Sequence, residues 1–98
     1  MKYEVILTNE AKEEFLRLEK FLQEKIQADY NLIYDFDINA VIIKPLGHKI
    51  FEIKTDNVRS LFKYQKDRII IVGLVFVKKT QKTPKEILKL AKKRLENY

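Results

Sequence analysis

The side chains able to do chemistry in this chain are almost all cationic. Lys54, Arg59, Lys78, Lys79 and Lys82 fall in two short stretches, while cysteine is absent and histidine occurs once, as His48. That inventory excludes a Cys–His dyad, a thiolate metal site and the common zinc sets. The two glycines, Gly47 and Gly73, are isolated, so there is no glycine-rich phosphate loop. No metal and no cofactor is expected. His48 sits in a turn, where a histidine is more often a plain exposed residue, and Asp35 and Asp37 read as solvated turn or helix carboxylates. A cationic cluster can instead act on a phosphodiester. In RNA the ribose 2′-OH is a built-in nucleophile, and its attack on the adjacent phosphate concentrates negative charge that Lys and Arg stabilise. Contacts to neighbouring nucleotides enforce the in-line geometry. Crowded ammonium groups disfavour each other's charged form, so one lysine could serve as general base. Taken singly, each of these residues also fits an edge-strand charge that discourages aggregation.

The placement of charge narrows the partner. The net charge is +6. Residues 1–77 are neutral overall, so the whole excess falls in residues 78–98, where only Glu86 and Glu96 oppose the lysines and arginine. Such segregation is the footprint expected for a polyanion partner, and it also fits a lysine-rich helix that only aids solubility. The longest apolar run, Ile69–Val77, is about half of the ~20 residues a membrane-spanning helix needs. Met1–Thr8 is too short for a signal-peptide core. The expectation is a cytoplasmic protein with no membrane partner, built as a single domain over residues 1–98.

The elements that must position these cations are legible in outline. Lys2–Leu7 alternates as a first strand. Thr8 can cap a helix that the stripe Ala11, Phe15, Leu18, Leu22 and Ile26 carries to about Asp29. Tyr30–Ile43 fits either a second helix or a strand, and Lys44-Pro45-Leu46-Gly47 breaks whatever precedes it. Three strands follow, Lys49–Thr55, Val58–Gln65 and Arg68–Val77, and their short connections predict an antiparallel meander. In that meander the end of the second strand faces the start of the third, which brings Lys54 beside Arg59. Ile69–Val77 is apolar on both faces and belongs inside the sheet. Thr83-Pro84-Lys85-Glu86 reads as a capping box with proline at the first helical position. The helix it opens buries Leu88, Ala91, Leu95 and Tyr98 and exposes Lys85, Lys89 and Lys92. The fold class is α+β, a small, mostly antiparallel sheet with an N-terminal helical hairpin and a C-terminal helix, in the order β-α-(α)-β-β-β-α.

Three segments carry a resemblance: Phe51–Lys54, Val58–Phe62 and Val75–Pro84, the last reading Phe-Val-Lys-Lys-Thr-Gln-Lys-Thr-Pro over Phe76–Pro84. Together they resemble the phage-derived HigB branch of the RelE/ParE toxin superfamily. Phe76–Pro84 is the specific part; before residue 44 the likeness is one of element order. The resemblance implies a RelE-type fold and a ribosome-dependent mRNA endonuclease of a toxin–antitoxin system. Its partners would be mRNA on the ribosome, ribosomal RNA, and a helix-turn-helix antitoxin. Arg59 then corresponds to an arginine on the scissile phosphate, Lys54 and Lys79 to flanking basic residues, with Lys78 and Lys82 as neighbours. Lys85, Lys89 and Lys92 would dock on RNA phosphates. The chain departs from RelE in lacking a tyrosine between Tyr64 and Tyr98 and in carrying Glu52 where RelE has a second lysine. Two alternatives share the fold: a ParE-like toxin that inhibits gyrase, and a catalytically inactive antitoxin-binding domain.

Overall fold

The computed structural model describes residues 2–98. β1 (Glu4–Leu7) leads into α1 (Asn9–Leu16) and α2 (Lys20–Asp35). A single 3-10 turn, Ile38–Ala40, then precedes β2 (Ile42–Gly47), β3 (Ile50–Thr55), β4 (Val58–Gln65), β5 (Ile69–Val77) and α3 (Lys85–Leu95). The five strands lie in the order β1-β5-β4-β3-β2, with β1 parallel to β5 and every other junction antiparallel. The α+β class, the helical hairpin and the terminal helix are as expected. Among the described residues no helix is long and apolar enough to cross a membrane.

β5 holds the two layers together, because both of its faces are apolar and both are covered. Ile70, Val72 and Val75 belong to the core under α1 and α2, and Ile71 and Leu74 belong to the core under α3. The phase of alternation changes at Gly73, where the register steps from Leu61↔Leu74 to Phe62↔Val72 and leaves one extra residue on β5. A Cβ at Gly73 would stand 2.6 Å from Leu95 Cγ, so glycine is also what lets α3 approach the sheet. Beyond Leu7 the β1 side of β5 has no strand to pair with. Side chains take over there: Val75 N–H donates to Glu14 Oε1 at 3.0 Å, and Arg94 Nη1 donates to Gly73 O at 3.1 Å and to both Glu14 oxygens.

Thr8 caps α1 as expected, accepting from Ala11 N–H at 3.1 Å. The single long helix expected from Thr8 to Asp29 is instead two. Glu19 is extended (ψ 145°), and the carbonyls freed at the break are taken by Gln23 Nε2, 3.1 Å from Leu16 O and 2.8 Å from Leu18 O. No glycine or proline marks this break; a side chain further along stabilises it. The apolar stripe survives because both helices pack on the same sheet face. α2 then runs through Tyr30 and Ile33, so the ambiguous stretch is helix first and strand last. Lys44-Pro45 does not end an element but lies within β2, an edge strand, where a missing N–H costs no ladder bond on the solvent side and the register shifts after Pro45. The sheet therefore has one more strand than the sequence predicts.

The capping box at α3 is not formed. Pro84 is itself the capping residue (φ −56°, ψ 144°), and the Thr83 hydroxyl donates to Glu52 Oε1 at 3.1 Å. Tyr98 is exposed rather than buried, because α3 ends at Leu95; Ile87 packs against the core in its stead. Three hairpin turns place non-glycine residues in the left-handed region: His48 (φ 55°) and Lys49 (φ 64°), Asp56 (φ 55°), and Asp67 (φ 63°) and Arg68 (φ 59°). Each costs roughly 1–2 kcal/mol relative to a right-handed conformation.

Candidate functional site

The register of the sheet builds two cross-strand rows on the face that carries α3. One is Lys44, Glu52, Leu61 and Leu74; the other is Ile42, Lys54, Arg59 and Phe76. α3 covers Leu61 and Leu74 of the first row. At the β2 edge the face is open: Ile42 is 65% exposed, and Lys44 and Lys54 are exposed too. Lys54 and Arg59 are direct cross-strand partners, as the meander predicts.

Their environments differ sharply. Arg59 is only 9% exposed. Its Nη1 donates to Asp56 O at 2.9 Å and Val58 O at 3.1 Å, and its Nε lies 3.5 Å from Glu52 Oε2, too long for a good hydrogen bond. Nε is the one buried side-chain nitrogen or oxygen without a hydrogen bond among the described residues. Glu52 is buried, with Oε1 accepting from Thr83 and Oε2 facing Arg59. A buried carboxylate between an arginine and a hydroxyl keeps its charge matched, while the Asp56 and Val58 carbonyls that accept from Nη1 orient the guanidinium.

The segment after β5 is tied at both ends. Lys78 N–H donates to Asn57 O at 2.7 Å, extending the β4–β5 ladder by one step, and Thr83 is anchored on Glu52. Lys79 and Lys82 are exposed between the two ties, and neither has an ion pair among the described residues. The loop thus returns to the carboxylate that holds Arg59, at the strand end where Lys54 stands. Lys85, Lys89 and Lys92 are exposed on α3. Lys92 Nζ instead lies 3.4 Å from His48 Nδ1 in the β2–β3 turn. Among the described residues no group of His, Cys, Asp or Glu side chains is arranged to hold a metal ion.

The family model for Phage derived protein Gp49-like (DUF891) matches residues 13–96. The chain belongs to that family. No curated protein matches it in sequence. Its fold is shared with solved RelE structures. A chain of the RelBE2 toxin–antitoxin complex of Mycobacterium tuberculosis superposes with a TM-score of 0.66 at 15% identity, covering 80% of this chain and 100% of that one. The archaeal RelE–RelB complex of Pyrococcus horikoshii gives 0.60 at 15% identity, over 79% and 96%. The isolated RelE toxin of E. coli gives 0.59 at 15%, over 89% and 96%. At this identity the likeness is one of fold.

In this Gp49-like chain the residues that sequence reasoning passed over are Lys44 and Glu52. Lys44 stands opposite Glu52 across β2 and β3, and its signal was hidden because Pro45 made the segment read as a breaker. Glu52 was visible only as a departure from RelE. Its burial, which makes it the anchor for both Arg59 and Thr83, has no signature in local sequence.

Proposed function

We propose that this chain is the toxin of a toxin–antitoxin pair and acts as a ribosome-dependent, metal-independent mRNA endonuclease in the cytoplasm, held inactive by a helix-turn-helix antitoxin. The carrying observation is that Lys54 and Arg59 stand cross-strand beside the open part of the α3-side face, at the strand end from which Lys78, Lys79 and Lys82 emerge. Arg59 offers its guanidinium to a phosphate oxygen, with Glu52 as its positioning residue. Lys54 and Lys79 supply mobile charge around it. The 2′-OH attacks the adjacent phosphorus and the 5′ oxygen of the next nucleotide leaves, producing a 2′,3′-cyclic phosphate and a free 5′-OH. The excess negative charge of the crowded phosphorus is what Arg59 and the lysines stabilise. Lys85, Lys89 and Lys92 dock on ribosomal RNA phosphates, which position the protein without stabilising the reaction. The solved RelE–RelB complexes and the likeness of Phe76–Pro84 to the HigB branch support this reading.

The test is primer extension on a translated message after induction. Cleavage within codons, before DNA synthesis slows, is the expected result. Arrest of DNA synthesis first, with supercoiling lost, would replace the nuclease by a gyrase-directed toxin. Co-expression with the neighbouring gene's product should restore growth and co-purify a complex. A second reading, a catalytically silent antitoxin-binding domain, draws on the ties that hold Arg59 Nη1 to Asp56 O and Val58 O. Complex formation with no cleavage and no toxicity would select it.

A further inference from the structure

At the opposite end of the sheet from Lys54 and Arg59, the β2–β3 and β4–β5 turns enclose a cleft of about 450 Å³. Lys49, Phe51, Lys63, Tyr64, Lys66 and Tyr98 line it. Its floor is rigid. Tyr64 packs with ring centroids 5.0 Å from Phe51, 5.3 Å from Phe62 and 5.9 Å from Tyr3, and the Arg68 guanidinium lies 5.1 Å over the Tyr3 ring. Held by three rings, Tyr64 still leaves 39% of its surface open. Its rim is cationic. Lys49, Lys63 and Lys66 have no ion pair among the described residues. The carboxylates nearby are Asp67 in the turn and Asp37, whose charge bears on Tyr64.

The backbone supplies an independent observation. Lys49 and His48 both occupy left-handed positions in a two-residue turn, where glycine or asparagine is the low-energy choice. Strained positions of this kind point to side chains kept for a reason other than folding. The turn also joins the cleft to the terminal helix, because His48 Nδ1 lies 3.4 Å from Lys92 Nζ.

We propose that this cleft is a second nucleic-acid subsite, which takes a base of single-stranded RNA against Tyr64 and the flanking phosphates on Lys49, Lys63 and Lys66. A fixed aromatic face ringed by unpaired lysines is the combination that binds single strands without reading sequence, since every base has a π-face and every nucleotide a phosphate. The subsite rests on the RNA-directed reading above, and the test separates the two.

The probe is a fluorescein-labelled oligouridylate of about six nucleotides, titrated by anisotropy over a range of salt. Lys49→Gly combined with Lys66→Gln should weaken binding about tenfold at low salt. It should also flatten the slope of log K against log salt by about 1.4, at roughly 0.7 per phosphate released. The Lys49→Gly change should leave the Tm unchanged or raise it, because glycine relieves the left-handed turn. An abasic oligomer of equal length should bind the unmodified protein at least about fivefold more weakly than oligouridylate. Lys85→Ala with Lys89→Ala is the reference arm. If that pair weakens binding and the cleft pair does not, the subsite is wrong while the RNA reading stands. If the unmodified protein does not bind the oligomer, or neither pair changes its binding, the subsite is wrong, whereas the RNA reading falls only if cleavage within codons is also absent on a translated message. Equal affinity for abasic and base-bearing oligomers overturns the stacking role of Tyr64.

Discussion

Against α1 and α2 the sheet presents Ile53, Val58, Phe62, Ile70 and Val72, all fully buried, and the polar pair on that side closes on itself, with Tyr30 Oη 2.7 Å from Ser60 Oγ. Against α3 the interior is divided. Ile50, Leu61, Ile71 and Leu74 meet Ala91 and Leu95, but the neighbouring positions on the same face are Glu52 and Arg59. Two helices suffice to seal one face with hydrocarbon, each fully buried side chain contributing roughly 1.5–3 kcal/mol. The α3 helix, Lys85–Leu95, covers Leu61 and Leu74 and leaves Ile42, Lys44 and Lys54 at the β2 edge exposed. Where cover runs out, charge enters, and the Glu52–Arg59–Thr83 cluster is how that charge is accommodated at the border of the core. One face is built for stability alone; the other gives up part of its apolar packing to position cations.

That contrast breaks first at Arg59. Arg59→Ala should lower single-turnover cleavage on programmed ribosomes by about 10²–10³-fold. It should also cost about 3 kcal/mol or more in urea unfolding, because Glu52 is left buried without its partner. A Glu52→Leu, Arg59→Leu double variant should recover most of that stability and none of the cleavage. If cleavage returns with stability, Arg59 is a structural residue and the division between the faces is lost.

On the opposite face Ile53→Ala should cost about 3 kcal/mol through the cavity it leaves. Its cleavage rate per folded molecule should equal that of the parent, measured well below the unfolding transition. A rate loss there would mean that the apolar layer also tunes the site.

Tyr30→Phe sharpens the comparison through pH. Burial pushes the Tyr30 phenol well above its ordinary value, with Asp29 adding to the shift and the Ser60 hydrogen bond opposing it. The unfolded phenol ionises near pH 10 while the folded one does not. The resulting stability is therefore complete below about pH 10 and lost above it, by up to roughly 1.4 kcal/mol per pH unit. Urea titrations between pH 8 and pH 11 should show this loss in the parent and a shallower one in Tyr30→Phe. The variant should also be about 1–2 kcal/mol less stable at neutral pH, since Ser60 loses its buried partner.

The smallest structural effect belongs to α3's outer face. Lys85→Ala with Lys89→Ala should change stability by no more than about 0.5 kcal/mol. Ribosome binding should weaken with a flatter salt dependence while the saturated cleavage rate is preserved. Proportional loss of rate and affinity would merge the docking and catalytic lysines into one set.

Legibility followed the range of the forces involved. Thr8 capping α1, the strands from Ile50 to Val77 and the amphipathic α3 are local matters, and the sequence predicts them because period, cap and turn residues lie within a few positions of one another. The pairing of Lys54 with Arg59 was also within reach, since a short hairpin dictates its own register. The break between α1 and α2 was not, because it is held by Gln23 rather than by a breaker at the break itself. Thr83 carried a capping signature and spends its hydroxyl on Glu52, thirty-one residues away in the chain.

From composition and pattern alone this protein was determined as an α+β domain with all its excess positive charge in residues 78–98 and its cations gathered at strand ends. Only the tertiary structure decided which of those cations face water. Lys54 and Arg59 are neighbours of like charge on one face, yet one is exposed and the other lies among Glu52, Asp56 O and Val58 O. Periodicity tells which side chains share a face; burial depends on what the rest of the chain lays over that face, and α3 is laid over only part of it.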